Sequence, residues 1–170
     1  TMNAQNYTQK SLEAIQAAQK LTIENQNQQI EQIHLLAALL KQENGLVPQL
    51  LKKMHVDCDA VQRAVAEKIS RIPGVTGPGR EAGKIYVSAD VDAVLTAAEK
   101  EADRMKDEYV SVEHIMLAIL NRPNNAMKDV FQRFGIEKNA FLTALSSVRG
   151  NTRVTSDSPE STYDALQKYG

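Results

Sequence analysis

The chain has 170 residues, 42% of them apolar, which is enough to build a hydrophobic core without a disulfide or a metal. Its 20 basic and 21 acidic residues are interspersed and leave a net charge of −1, which argues against a nucleic-acid-binding face. No run approaches the roughly 20 apolar residues that a membrane span needs, and the polar N-terminus does not resemble a signal peptide.

Apolar residues at three- and four-residue spacings predict a chain that is almost entirely α-helical. One short segment, residues 84–88 (KIYVS), has the character of a strand instead. The stripes that carry the helical prediction lie within residues 12–22, 35–40, 61–72, 91–105 and 141–148.

Turn-forming residues mark the ends of these helices. Gly45 is suited to a left-handed helix end, and Pro48 fits the first turn of the next helix. Asp57 or Asp59 can cap the fourth helix.

The two halves of the chain repeat each other. IEQIHLLAALL begins at Ile30 and VSVEHIMLAIL begins at Val110, so that His34 is equivalent to His114; we call this alignment of the halves the repeat register. The repeat register extends without a gap over roughly 60 residues and predicts two four-helix units packed about a pseudo-twofold axis, an all-α tandem repeat. The predicted boundaries are a first unit at 2–70, a connecting loop at 71–88, a second unit at 89–148, an exposed linker at 149–160 and the start of a further unit at 161–170.

The glycine-rich segment at residues 77–84, GPGREAGK, does not fit a phosphate-binding loop. Three residues separate Gly79 from Gly83 where four are required, and Ile85 stands where a hydroxyl should bind magnesium. We therefore predict a connector without a bound nucleotide.

No catalytic or metal-binding pattern emerges from the histidines or the cysteine. His34 and His114 could meet at the axis and hold a metal, but we favour a structural role in which each donates to a nearby carbonyl or carboxylate. Acidic neighbours make Cys58 a poor nucleophile, and a single cysteine fits a reducing compartment, so we expect a cytoplasmic protein. We expect no catalytic site, metal or cofactor in this chain.

Together, the doubled histidine motif, the long gapless repeat register and the Gly/Pro-rich joint resemble the Clp N-terminal repeat domain. The ending VRGNTRVTSDSPESTYDALQKYG is similar to the junction between this domain and the first ATPase module in ClpB-type chaperones. The resemblance implies that residues 161–170 begin that module. It also implies that the full-length protein is a hexameric AAA+ disaggregase that uses ATP and magnesium and cooperates with a DnaK-type system. The isolated domain is expected to be a monomer.

The same resemblance implies four substrate-binding residues, which are Thr8, Leu95, Asp107 and Glu113. Because the first-repeat counterparts of Asp107 and Glu113 are Asn27 and Ile33, we expect one acidic-rimmed apolar groove rather than two equal grooves. Plainer roles are also open, with Thr8 as a helix cap and Glu113 as a favourable charge in a first helical turn.

We expect the domain to bind exposed apolar segments of unfolded or aggregated polypeptides weakly and to pass them to the pore of the hexamer. The alternative is an adaptor-docking N-domain of a ClpA- or ClpC-type unfoldase, which would bind a folded partner tightly. A helical enzyme is a third interpretation, and the sequence offers no site for it.

Overall fold

The computed structural model describes residues 4–75, 86–150, 152–155 and 157. These residues form two four-helix units and so confirm the predicted all-α tandem repeat. The helices are α1 Gln9–Glu24, α2 Gln32–Lys41, α3 Leu46–Lys53, α4 Cys58–Ser70, α5 Ala89–Arg104, α6 Val112–Asn121, α7 Asn125–Phe134 and α8 Lys138–Arg149; the strands are β1 Gln29–Ile30 and β2 Tyr86–Val87, and a 3₁₀ turn spans Ala4–Asn6.

The repeat register holds at the level of whole elements. Helices α1, α2 and α4 begin at residues 9, 32 and 58, and their equivalents α5, α6 and α8 begin at 89, 112 and 138. Most of the connecting loop predicted at 71–88 and the further unit predicted at 161–170 lie outside the described residues, so those boundaries stay predictions.

The two units interlock through short parallel pairings. Strand β2, which leads into the second unit, pairs with β1 of the first, and Tyr7, which leads into the first unit, pairs with Val110 of the second. Thr8 N–H donates to Val110 O at 2.9 Å, and Ser88 N–H donates to Ile30 O at the same distance. Each half therefore completes the other, as two units too small to be stable alone would require.

Helices α2 and α6 lie at the centre of the molecule. Nearly every residue of both is buried, which explains why their sequences are apolar on all sides rather than on one stripe. The other helices pack around this pair and bury one face each.

The predicted helix ends are correct at two positions and wrong at one. Pro48 lies in the first turn of α3, and the Asp57 side chain caps α4. Gly45, however, has a φ of −71° and precedes α3 as its N-cap, while Asn44 adopts the left-handed conformation at a φ of 55°. The glycine is needed for space, because a Cβ atom there would lie 2.8 Å from the Cβ atom of Gln42.

The chain after α8 returns to the protein surface rather than leaving it. Helix α8 runs through Arg149, which is buried, and Val154 is completely buried at 0% exposure. The predicted exposed linker at 149–160 is therefore wrong at these two residues, while residues 151, 156 and 158–160 lie outside the described part of the chain.

Candidate functional site

The loop between α5 and α6, residues 105–111, holds Asp107 in a buried network of hydrogen bonds. One carboxylate oxygen, Oδ2, lies 2.7 Å from His114 Nε2. The other, Oδ1, accepts from Arg149 Nη2 at 2.6 Å and from the Val154 backbone N–H at 2.9 Å. Only 7% of Asp107 is exposed, so its charge is directed inward.

Glu113 belongs to the same cluster. It lies in the first turn of α6 with 0% exposure and accepts a hydrogen bond from the Ser111 hydroxyl. Its second oxygen lies 3.5 Å from Arg149 Nη1. The guanidinium of Arg149 therefore compensates both carboxylates, as buried charges require.

Asp107 is ionised at neutral pH despite its burial. Burial alone would raise the pKa of Asp107, but hydrogen bonds from His114, Arg149 and the Val154 N–H, together with the positive charge of Arg149, lower it to about 2. The Asp107 carboxylate therefore keeps its negative charge over the physiological range of pH.

The two repeated histidines make the same contact in each half. Ser111 N–H donates to Nδ1 of His114, and Glu31 N–H donates to Nδ1 of His34, both at 2.9 Å. Nε2 of His34 lies 2.8 Å from Oδ1 of Asn27, as Nε2 of His114 lies beside Asp107. The predicted structural role of both histidines is confirmed, because hydrogen bonds engage both nitrogens of each ring.

Thr8 reaches this loop from the start of α1. Its hydroxyl oxygen caps the helix by accepting from Ser11 N–H at 3.2 Å, and the Thr8 hydroxyl donates to Ser11 Oγ at 2.9 Å. Ser11 in turn donates to the Val110 carbonyl at 3.0 Å. The predicted capping role of Thr8 is confirmed, and the structure brings Thr8, Asp107 and Glu113 together around one loop.

The structure does not place Leu95 in an apolar surface groove with an acidic rim, as the sequence predicted. Leu95 is a core residue of α5 with 6% exposure, and both carboxylates are buried rather than arranged as a rim at the surface. The prediction of an acidic rim is therefore wrong, because both carboxylates point inward and pair with Arg149. An apolar surface cavity of about 180 Å³ lies instead in the first unit, lined by Leu21, Asn25, Ala37, Lys41, Gln62, Val65, Ala66 and Ile69.

Sequence reasoning missed Arg149 and Val154. The signal for Arg149 is present in the repeat, because its counterpart in the repeat register is the core residue Ile69. A charged residue at a core position needs a buried partner of opposite charge, and the same comparison shows two new carboxylates at positions 107 and 113. Val154 carries no such signal, since no periodic pattern surrounds it.

The described residues were also compared with what a membrane-spanning helix and a cysteine nucleophile require. None of the described helices is long and apolar enough to cross a membrane. Burial, with a contribution from the nearby Asp59, raises the pKa of the Cys58 thiol, which disfavours the thiolate that a nucleophile would need.

Comparison with known proteins identifies the class to which this fold belongs. Residues 6–134 match the Clp repeat (R) N-terminal domain, and the chain is a member of that family. The chain is 42% identical to the chaperone protein ClpB of Bacillus anthracis over 169 residues, which cover 99% of this chain and 19% of that protein. ClpB of Nitratidesulfovibrio vulgaris is 41% identical over 170 residues, with 99% and 20% covered.

The fold also matches a solved structure of the same kind of domain. The crystal structure of the Hsp104 N-terminal domain from Candida albicans has a TM-score of 0.79 and 26% sequence identity, covering 91% of this chain and 99% of that one. The chain spans about a fifth of the length of the curated relatives that it matches. The resemblance to ClpB-type N-terminal domains is thus confirmed for the fold and the family.

Proposed function

We propose that this chain is the substrate-engaging N-terminal domain of a ClpB-type chaperone. It binds stretches of unfolded or aggregated polypeptides weakly on the outer side of the loop at 105–111, which covers the buried side chains of Thr8 and Glu113. The observation that carries this proposal is the docking of the non-helical stretch after α8 on that loop through main-chain atoms. Val154 donates its N–H to Asp107 Oδ1 at 2.9 Å and accepts from Glu108 N–H at 2.7 Å.

Recognition through main-chain atoms suits a domain that must accept many clients. Every residue except proline presents the same N–H and C=O groups, so these two hydrogen bonds select an extended conformation rather than a sequence. A single buried side chain, here that of Val154, adds apolar area without demanding one particular residue. Leu95 supports the surface from within the core rather than touching the client.

The affinity of one domain is expected to be weak. Two hydrogen bonds contribute about 1–3 kcal/mol each, and burial of one valine about 1.5–3 kcal/mol. Association and ordering of the peptide cost about 4–15 kcal/mol, so the dissociation constant of a single site falls in the high micromolar range or above. Weak binding allows a client to be released to the next site.

The activity of the whole protein is part of the same proposal. The full-length protein is a cytoplasmic, hexameric AAA+ ATPase that uses ATP and magnesium, threads clients through its pore and cooperates with a DnaK-type system. Its relatives at about 40% identity are ClpB chaperones, of which the matched region covers about a fifth. Six linked copies of this domain would recover avidity through a high effective concentration.

A titration followed by NMR tests the binding site directly. Reduced, carboxymethylated α-lactalbumin, which is unfolded in buffer, is added to the isotopically labelled 170-residue chain. We expect shifts in the backbone amides of Thr8, Glu108 and Glu113, and none in those of the first-repeat counterparts Asn27 and Ile33. Equal shifts in both halves, or shifts in neither, would contradict the proposal.

Docking of a folded adaptor is the second candidate function, and the cavity in the first unit favours it. The cavity lies between α1, α2 and α4, and Ile23 on α1 is 42% exposed. Ala66 lines this cavity and is exposed, so Ala66→Arg should fill it without disturbing the core. Loss of α-lactalbumin binding in Ala66→Arg would move the client site to this cavity. Unchanged binding supports the loop at 105–111 as the client site and leaves the cavity available to a folded adaptor.

A further inference from the structure

The chain after α8 occupies the surface to which the proposed function assigns client binding. We infer that residues 152–155 and 157 belong to a tethered ligand of that surface, which must detach before a client binds in the same place. This inference rests on the proposed function and adds its regulation and the chemistry of its ligand. We call residues 152–155 and 157 the exit segment.

The exit segment is held at three successive points. Near α8, Arg149 donates to the Thr152 carbonyl from Nε at 3.2 Å and from Nη2 at 2.9 Å. In the middle, Val154 makes its two main-chain hydrogen bonds to Asp107 and Glu108. At the far end, the Asp157 carbonyl accepts from Gln9 N–H at 2.8 Å, in the first turn of α1. The contacts thus extend from the acidic cluster to the residue that follows Thr8.

The first repeat shows that the fold does not require the side-chain contacts that hold the exit segment. The equivalent stretch after α4 is residues 72–75, in which Gly74, the counterpart of Val154, is exposed. That stretch makes a main-chain hydrogen bond to the equivalent loop, from Val75 N–H to Gln26 O at 2.7 Å. The second repeat differs by the acidic side chain of Asp107, which accepts from the segment, and by the buried side chain of Val154.

The exit segment also indicates what kind of peptide fits. Val154 is buried between Arg153 and Thr155, which are both exposed, as in a strand with one face toward the protein. The surface therefore takes an extended peptide with a β-branched apolar residue flanked by residues of any kind. Val154 alone supplies a buried apolar side chain among the described residues of the segment, so the segment is held weakly enough to exchange with a client.

Occupancy by the exit segment should weaken the binding of clients by a measurable factor. A segment joined directly to α8 experiences an effective concentration in the millimolar range. If it is docked about 90% of the time, the apparent dissociation constant of a client rises about tenfold, because only the undocked fraction binds. A variant that cannot dock should then bind about tenfold more tightly.

Two charge-matched variants of the 170-residue chain test the inference. Val154→Asp places a carboxylate against the acidic cluster and should release the segment, whereas Thr155→Asp adds the same charge at an exposed position. Hydrogen exchange at the backbone amide of position 154 reports docking without any ligand. Fluorescence anisotropy reports binding of a labelled peptide with the sequence TRVTSD, and reduced, carboxymethylated α-lactalbumin serves as its competitor.

We expect Val154→Asp to lose amide protection and to bind the peptide about tenfold more tightly than the wild type, with Thr155→Asp unchanged in both measurements. Loss of protection with unchanged peptide affinity in Val154→Asp would overturn the gating role and leave the proposed function standing. Absence of binding to every variant, including the released one, would instead refute the proposed function. Val154→Gly, which removes the side chain without adding charge, provides the same comparison should the aspartate variant unfold.

Discussion

Arg149 is the cation on which the buried acidic cluster depends, and its replacement gives the sharpest test of the site. Arg149→Ile inserts the residue that the first repeat carries at the equivalent position, Ile69. The change removes the guanidinium 2.6 Å from Asp107 and 3.5 Å from Glu113, and leaves both carboxylates buried without that counter-ion. It also removes both hydrogen bonds to the Thr152 carbonyl.

The expected loss of stability is large. Removing one partner of a buried ion pair typically costs about 3–5 kcal/mol, because the remaining charge is left desolvated. For a domain of this size, each kcal/mol lowers the melting temperature by about 2–4 °C, so we expect a decrease of roughly 10 °C. The matched control is Arg71→Ile, since Arg71 pairs with Glu67 at the surface and such pairs contribute less than about 1 kcal/mol.

Thermal unfolding followed by circular dichroism, with urea unfolding as a second measurement, determines both changes. The variant Asp107→Asn/Glu113→Ile/Arg149→Ile gives the second repeat the residues of the first, and should recover at least half of the loss, because replacing buried ion pairs by apolar residues is often neutral. If Arg149→Ile costs no more than Arg71→Ile, or if the triple variant is no more stable than Arg149→Ile, this account of the cluster is wrong.

The remaining predictions concern features that occur once in each repeat. Burial lowers the pKa of His34 from 6.5 to about 4. At a pH between these two values, His34 is protonated in the unfolded chain and neutral in the folded chain. The free energy of unfolding should therefore fall by roughly 3 kcal/mol as the pH drops through this range. Urea unfolding should show that it depends less steeply on pH in His34→Gln than in the wild type, and parallel curves would contradict this. Thr8→Ala and Ser88→Ala each remove a helix cap and should each lower the free energy of unfolding by about 1 kcal/mol. The control Thr8→Ser should be nearly neutral. An unchanged melting temperature in Thr8→Ala would rule out the cap as a stabilising contact. Gly135 and His55 occupy equivalent positions in the repeat register, and both have left-handed backbones, with φ of 65° and 61°. Gly135→Ala should therefore destabilise the domain by about 1 kcal/mol, and His55→Gly should stabilise it by up to about 1 kcal/mol. Effects of the same sign on the melting temperature would refute the strain argument.

Much of the fold could be predicted from the sequence because its main determinants are local and are stated twice. The apolar spacing of each helix recurs in the repeat register, and the cap at Asp57 and the position of Pro48 follow from the chemistry of neighbouring residues. The prediction for Gly45 is wrong because its neighbour Asn44 also tolerates the left-handed conformation, while the glycine is needed for close contact with Gln42.

The site was less predictable because its contacts are distant in the sequence. The pairing of Arg149 with Asp107 spans 42 residues, and no local period signals it. The resemblance led to the carboxylates but not to their burial, which depends on the cation and on the returning chain. A residue-by-residue comparison of the two repeats would have found Arg149, since three charges appear together in one half where the other half is neutral.

The duplication itself separates what holds the fold from what distinguishes the second half. The contact between each histidine and the backbone three residues before it occurs in both halves with the same length of 2.9 Å, so it belongs to the architecture. The charges of Asp107, Glu113 and Arg149 occur in one half only, and the neutral half folds in the same way without them. Because a buried ion cluster is a poor means of stabilising a fold, its presence in one repeat needs a reason beyond stability. That reason, on the present proposal, is the recognition of an extended chain, and client binding should therefore depend on the charged half alone.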